Sequence, residues 1–208
     1  VTATVTVSPS TKTLASIGDT VTLSATVKDA AGSVMSGATV TWSSSNASVV
    51  TVSTTGLVTA VTNGTTTITA TSGVASGTAT ITVTQVASTL VLSSTSVAFV
   101  SLTDTATLTA TVKDAGGATM SGATVTWSST NAAVATVSAT GLVTSIATGS
   151  VTITATSGPA SGTAAVTVTQ VAATVTLSPT SLSFSSVGDT ATLTATVKDA
   201  SGSVMSGA

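Results

Sequence analysis

Four lysines and six aspartates are the only ionisable side chains in this 208-residue chain, which has no histidine, cysteine, glutamate, arginine or tyrosine. A general base would have to be an aspartate or a lysine of displaced pKa, and nothing nearby predicts such a displacement. A Ser–Lys pair can be drawn anywhere in a serine-rich chain and so carries no information. No phosphate-binding or dinucleotide fingerprint is present. The absence of cysteine excludes disulfides and thiolate metal sites while leaving the compartment open. Four scattered lysines and four aromatic residues make neither a basic patch nor a stacking platform, so no nucleic-acid partner is expected. The inventory reads as that of a protein that is not an enzyme.

Metal chemistry is the one candidate left. Apart from Lys12, the charges fall in the pairs Lys28-Asp29, Lys113-Asp114 and Lys198-Asp199 and in the lone Asp19, Asp104 and Asp189. Asp19 and Asp29 bracket one extended segment, about 33 Å apart at roughly 3.3 Å per residue, and cannot share a site. If successive modules stack end to end, Asp19 would meet Asp114, and Asp104 would meet Asp199. Two carboxylates with neighbouring carbonyls could hold Ca²⁺, which takes six to eight oxygens. The plainer reading is a Lys113–Asp19 ion pair, or turn aspartates facing water. No other cofactor is implied. A Lys–Asn cross-link at Lys28 or Lys113 is conceivable but needs a buried acid beside it.

The elements that must position these groups repeat. Lys28, Lys113 and Lys198 are spaced by 85 residues, as are Asp29, Asp114 and Asp199, Trp42 and Trp127, and Gln85 and Gln170. A period of domain length means tandem copies of one globular module. The expected organisation is 1–85, 86–170, and an incomplete start of a third module over 171–208. Eighty-five residues can close a core without cross-links, whereas 38 cannot.

Within a module, apolar and hydroxyl residues alternate with period two, the pattern of strands. Val21, Leu23, Ala25 and Val27 alternate with Thr and Ser over a predicted strand from Thr20 to Lys28. Val40 and Trp42, Ile68 and Ala70, and Ala79, Ile81 and Val83 alternate in the same way. Threonine suits a pleated surface while leaving a hydroxyl for water. Turn residues separate the runs at Ser8-Pro9-Ser10, Gly18-Asp19, Asp29 to Gly32, Ser36-Gly37, Ser43 to Asn46, Thr55-Gly56, Asn63-Gly64 and Ser72-Gly73. About seven short strands without helical periodicity predict an all-β fold: tandem immunoglobulin-like antiparallel β-sandwiches arranged end to end. A closed barrel is the lesser alternative. Trp42 and Trp127 are expected to anchor the two cores. The chain is 42% hydrophobic, yet no apolar run approaches the roughly 18 residues of a spanning helix, so no transmembrane segment is expected. No signal peptide precedes Val1, and the missing initiator Met suggests a processed chain or an excised segment.

The stretch Ala38–Gly73, with its copy Ala123–Gly158, resembles the group 2 bacterial immunoglobulin-like domain. The marks are a W-S-S-x-N stretch (Trp42–Asn46, Trp127–Asn131), a V-x-T-V-S strand (ending at Ser53 and Ser138), a G-L-V-T turn (Gly56–Thr59, Gly141–Thr144) and a T-I-T-A-T-S-G strand (Thr67–Gly73, Thr152–Gly158). The third copy stops before its tryptophan. The resemblance implies β-sandwich segments of extracellular, cell-surface proteins of bacteria, often adhesin or invasin stalks, with no catalytic residues to carry over.

The junctions Thr80–Leu92 and Ala165–Leu177 contain no Gly, Pro or charged run, so they lack the composition of a flexible linker. Modules on the order of 35 Å long, from ten-residue strands at about 3.3 Å each, would then stack into a stiff rod. A donor-strand exchange by Val171–Ala208 is the less direct reading, because Val1 already opens a whole module. Asn46-Ala47-Ser48 and Asn63-Gly64-Thr65 match the glycan acceptor pattern, but their second-module equivalents do not, so glycans stay an open partner class. The uncharged segments VTATVTV, TTTITAT and AAVTVT either lie inside sheets or invite side-by-side packing with further copies of the chain. The leading expectation is a structural repeat of an extracellular filament or surface stalk, self-associating with further copies or repeats. Its alternative is an adhesin or carbohydrate-binding module acting through loops Ala30–Gly37 and Ser43–Ser48. An enzyme-accessory segment is the third reading.

Overall fold

The computed structural model describes residues 1–206. By contacts the chain divides into two compact units, Val1–Thr89 with Val112–Ala123, and Leu90–Thr111 with Thr124–Ala208. The loop that opens with Asp114 therefore packs within the first unit, although it belongs by sequence to the second copy of the repeat.

The first unit contains β1 (Thr2–Ser8), β2 (Thr11–Leu14), β3 (Thr20–Thr22), β4 (Ser24–Asp29), β5 (Thr41–Ser44), β6 (Val50–Val52), β7 (Leu57–Ala60), β8 (Gly64–Ser72) and β9 (Ala75–Val83). These nine segments are seven strands, two of which are interrupted. The first is cut at Ser8-Pro9-Ser10, where proline brings no N–H to a ladder. β1 pairs antiparallel with β4, and β2 pairs in parallel with β9, Leu14 opposite Val83. The second interruption is Leu23. Alternation predicts one strand from Thr20 to Lys28, but β3 pairs with β7 while β4 pairs with β1. Leu23 N–H instead donates to Gly56 O at 2.8 Å. The inward alternation survives this change of partner, so the sequence pattern does not reveal it.

The four-stranded sheet β2-β9-β8-β5 and the sheet β3-β7-β6 supply the core. Ile68 and Ala70 of β8, Ala79 and Ile81 of β9, and Val50, Val58 and Ala60 of β6 and β7 are all buried. Each of the larger side chains contributes about 1.5–3 kcal/mol by leaving water. Their threonine neighbours Thr78 and Thr80 are exposed, as the alternation requires. Trp42 packs against this cluster while only partly buried, at the margin of the core rather than its centre. Its copy Trp127 has the same relation to the second cluster. TTTITAT lies in β8, between β9 and β5, and needs no edge protection.

The second copy of the repeat forms β10 (Thr89–Leu92), β11 (Ser96–Phe99), β12 (Thr105–Thr107), β13 (Ala110–Lys113), β14 (Thr126–Ser129), β15 (Ala135–Val137), β16 (Leu142–Ser145), β17 (Gly149–Ser157) and β18 (Ala160–Val168). In the second unit the sheets β11-β18-β17-β14 and β12-β16-β15 reproduce those of the first, including the parallel pairing of β11 with β18. AAVTVT falls in β18, again interior. Two further strands, β19 (Thr174–Ser178) and β20 (Thr194–Lys198), form an antiparallel pair. On them and the intervening loops Val175, Leu177, Phe184 and Leu193 are exposed, whereas Val5, Val7, Leu14 and Leu23, their counterparts 170 residues earlier, are buried. The counterparts of β5–β9, which cover those residues in the first copy, would fall beyond residue 208. No helix among the described residues is long and apolar enough to cross a membrane.

Candidate functional site

The Lys-Asp pair ends a strand, and the aspartate folds the loop that follows. Asp114 N–H donates to Ala118 O, and Gly117 N–H to Asp114 O, while Asp114 Oδ1 accepts the Ala118 N–H at 2.9 Å. A short side chain accepting from its own loop is the usual turn chemistry of aspartate. The same loop closes on Asp29 Oδ1, from Ala31 and Ser33 N–H, and on Asp199 Oδ1, from Ser201 and Ser203 N–H.

The second carboxylate oxygen is where the copies diverge. Asp114 Oδ2 accepts the Ile17 N–H at 2.9 Å and Gln85 Nε2–H at 2.8 Å. Asp199 Oδ2 accepts the Leu102 N–H at 3.0 Å and Gln170 Nε2–H at 3.1 Å. Both aspartates are 2% exposed, the two buried charged residues among those described. Asp29 is half-buried, and its Oδ2 has no donor among the described residues. Two clasps thus join positions 97 residues apart, each inside its own compact unit.

Each clasp is held from behind. Asp19 Oδ2 accepts Ala15 and Ser16 N–H, which leaves the Ile17 N–H to point outward. In the second unit Ser145 Oγ donates to Ser101 O and Asp104 O, shaping the corresponding turn. Gln85 is fixed by Asn63, whose Nδ2–H donates to Gln85 Oε1 and whose Oδ1 accepts the Gln85 N–H. Thr148 stands where Asn63 does one period earlier, so Gln170 lacks that brace. The second clasp gains a different bond: Ser201 Oγ donates to Leu102 O at 2.6 Å, at the position where Gly116 leaves only backbone. The acceptor pattern at Asn63 is therefore engaged in internal hydrogen bonds.

Stacked modules placed Asp19 opposite Asp114, and Asp114 does reach the turn that Asp19 closes. Each carboxylate is engaged by amide donors, however: Asp19 by Ala15 and Ser16 N–H of its own loop, and Asp114 by Ile17 and Ala118 N–H and Gln85. A carboxylate ringed by N–H groups meets partial positive charge, the opposite of what a Ca²⁺ shell supplies. Among the described residues no three acidic, histidine or cysteine side chains gather as a metal group. Chelation is accordingly expected to leave the thermal unfolding of both units unchanged. A fall of several degrees with EDTA, restored by added calcium, would place a cation here after all.

The donors also set the acidity. Burial pushes the Asp114 carboxyl up, but hydrogen bonds from Gln85 and from Ile17, Ala118 and Gly116 N–H outweigh it and hold the group below the usual carboxylate range. For Asp199 burial is likewise outweighed, by Leu102 N–H, Gln170, Ser201 and Ser203. A pKa lowered by folding gives stabilisation that is complete above the unfolded value, near 3.9, and lost as the pH falls through the folded one. With no histidine or glutamate to titrate, unfolding temperatures should stay level from about pH 7 to 5 and fall only below about pH 4. Thermal scans across that range test this, and a decline between pH 7 and 5 would contradict it.

The clasp residues were only half visible in the sequence. Gln85 and Gln170 recur with the same period and each lies 29 residues before its aspartate, which was the available signal. Ile17 and Leu102 act through backbone N–H groups, which leave no trace in residue type. Beside Trp42 lies an open groove lined by Thr22, Leu23, Ser24, Ala25, Val40, Thr54 and Thr55.

A family model described as the bacterial Ig-like domain (group 2) matches residues 1–83 and 100–169. No curated protein matches the chain. Among solved structures it is similar to surface layer protein SbsC, domains 1–6, at 24% identity over 98% of this chain and 32% of that one, with TM-score 0.41. It is also similar to the Escherichia coli adhesin FdeC, at 22% identity over 96% of this chain and 74% of that one, with TM-score 0.44. A third is InvD of Yersinia pseudotuberculosis, at 20% identity over 97% and 71%, with TM-score 0.36. The chain spans about a third of the length of the surface-layer chain it matches.

Proposed function

Because the chain belongs to the group 2 bacterial Ig-like domain family, we propose that it is a structural repeat segment of an extracellular filament or cell-surface stalk. Its work in this reading is reach and resistance to unfolding, with no catalysis. The sequence repeats with an 85-residue period, and the aspartate loops of the second and third copies hydrogen-bond to a turn of the copy before. The observation that carries the reading is the buried clasp aspartate, present twice at matched positions with both carboxylate oxygens accepting hydrogen bonds. A charge sequestered in that way serves architecture, since it offers nothing to a substrate. The alternative, an adhesive or carbohydrate-binding role through loops Ala30–Gly37 and Ser43–Ser48, is less supported, because the second copy's equivalent of the first loop is engaged by Ile17 and Gln85.

The same composition suits the outside of a cell. A surface of serine and threonine with 5% charged residues changes little with salt or pH. Single-molecule stretching of the chain between its ends tests the proposal. Two discrete force peaks are expected, each release lengthening the tether by roughly 250–300 Å for a repeat of this size. Extension without resolvable peaks would remove the load-carrying role.

A further inference from the structure

Asn63-Gly64 is the one Asn-Gly pair in this sequence, since Asn46 and Asn131 each precede alanine. Such a pair is chemically labile. A glycine nitrogen has no Cβ beside it to shield its attack on the preceding carboxamide, and its backbone turns easily into the ring that forms. Packing nevertheless calls for both residues here. Gly64, at φ +149°, has no room for a side chain, because a Cβ would stand 3.0 Å from Val49 Cγ2. Asn63 is exposed, yet its carboxamide is engaged at both ends by one residue. Asn63 Nδ2–H donates to Gln85 Oε1 at 3.0 Å, and Asn63 Oδ1 accepts the Gln85 N–H at 2.8 Å. Gln85 in turn gives its Nε2–H to Asp114 Oδ2. The second copy keeps the glycine, Gly149 against Val134, but carries Thr148 in place of the asparagine.

We propose that Asn63 is a site of spontaneous deamidation, and that Gln85 restrains the reaction by pinning the carboxamide. In the reaction Gly64 N loses its proton to solvent hydroxide and attacks Asn63 Cγ. The N–Cγ bond forms, the Cγ–Nδ2 bond breaks, and Nδ2 leaves as ammonia after taking a proton from water. Water then opens the five-membered imide at either carbonyl, leaving aspartate or isoaspartate, and nothing is oxidised or reduced. A rotation that carries Cγ onto the Gly64 nitrogen gives up the bonds to Gln85, which is why they slow it. The product cannot remake both, because a carboxylate has no N–H to offer Gln85 Oε1. Gln85 is drawn to turn its own NH₂ toward position 63, and Asp114 Oδ2 then loses that donor. A change at an exposed turn thereby loosens the buried clasp of the first unit, with no counterpart at Thr148. The change needs neither an enzyme nor a partner, and it does not depend on the stalk reading.

The test follows the mass of the peptide bearing Asn63 while the whole chain is kept warm at mildly alkaline pH. The native chain should react at least about tenfold more slowly than the same chain unfolded in urea, as two ordinary hydrogen bonds predict. Gln85→Ala should recover most of that difference, with thermal unfolding showing that the variant is folded. Gln85→Glu keeps an acceptor for Asn63 Nδ2–H and the same backbone N–H, so it should stay near the native rate although it no longer donates to Asp114. Asn46 and Asn131 are the internal references and should react more slowly than Asn63 in urea. Asn63→Asp, one product made directly, should speed hydrogen exchange at the Ile17 amide and leave Leu102 unchanged. Equal rates in the native and urea-unfolded chains, a Gln85→Ala chain no faster than the native one, or a Gln85→Glu chain as fast as Gln85→Ala would each overturn the restraint. No reaction at Asn63 even in urea would overturn the site, and unchanged Ile17 exchange in Asn63→Asp would overturn its link to the clasp.

Discussion

Gly56→Ala is expected to lower the stability of the first unit by about 3 kcal/mol, from a left-handed backbone cost of about 1–2 kcal/mol and an overpacking cost of similar size. Gly56 sits at φ +81°, in the turn where Gly56 N–H donates to Ser53 O and the Ser53 Oγ accepts from Thr55 and Leu57 N–H. A methyl there would stand 2.5 Å from Leu23 O and 3.0 Å from Trp42 Cζ2. Neither obstacle yields cheaply: Leu23 is the point where the strand changes partner, and the indole is held between that break and the core. A loss of this size should lower the unfolding temperature by roughly 10–20 °C for a repeat of this length. Gly141→Ala should do the same to the second unit, since Gly141 meets Leu108 O and Trp127 alike. Gly32→Ala is the control. Gly32 has φ +84° and nothing within 4 Å of the added carbon, so it should lose only the backbone part, about 1 kcal/mol. Equal effects at positions 32 and 56 would mean that the tryptophan contact is not what fixes glycine in the turn.

Asp114→Ala is expected to cost the first unit about 2–3 kcal/mol, because it leaves Ile17 N–H, Ala118 N–H and Gln85 Nε2–H without their acceptor. Asp114→Asn should rescue little. Whichever way the amide turns, its NH₂ faces a donor, at Oδ1 the loop and at Oδ2 the Ile17 N–H and glutamine. Denaturant unfolding gives the energy, and hydrogen exchange gives the place: the Ile17 amide should lose its protection in both variants. Asp29→Ala removes the same residue type from the same loop where only Ala31 and Ser33 N–H depend on it, both near solvent, and should cost under about 1 kcal/mol. If positions 29 and 114 respond equally, the buried half of the clasp contributes nothing. Full recovery by asparagine would mean that charge is not what the donors require.

The strands that carry the core were legible because burial has the same period as the residues. Ile68, Ala70, Ala79 and Ile81 alternate with threonine in sequence, and they are buried in the structure. The family marks were legible for a related reason: the G-L-V-T turn holds a glycine for φ and for the close approach of a tryptophan. Partner choice was not legible. Nothing in Thr20–Lys28 signals that the strand leaves β7 for β1 at Leu23, since a strand that changes sheets keeps its inward side. Nor does composition reveal that β2 runs parallel to β9. The position of Asp114 opposite the Asp19 turn followed from the period and the idea of stacking, yet its chemistry did not. Whether a carboxylate meets a cation or an amide is decided by backbone orientation, which Ile17 and Leu102 supply without any mark in their side chains.

The parallel pairing of β2 with β9, and of β11 with β18, has a consequence for how a repeat gives way. Tension entering at the front of a repeat draws β2 toward that end, while tension leaving at the back draws β9 the other way. The two strands are then sheared lengthwise, and the paired positions Thr11–Leu14 and Thr80–Val83 are strained together rather than in turn. A hairpin pulled from its open end peels one bond at a time and resists only as strongly as a single bond. The short ladder between the first and last strands of each repeat is thus a shear pin, and its strength depends on strand direction, a property that none of its residues carries alone.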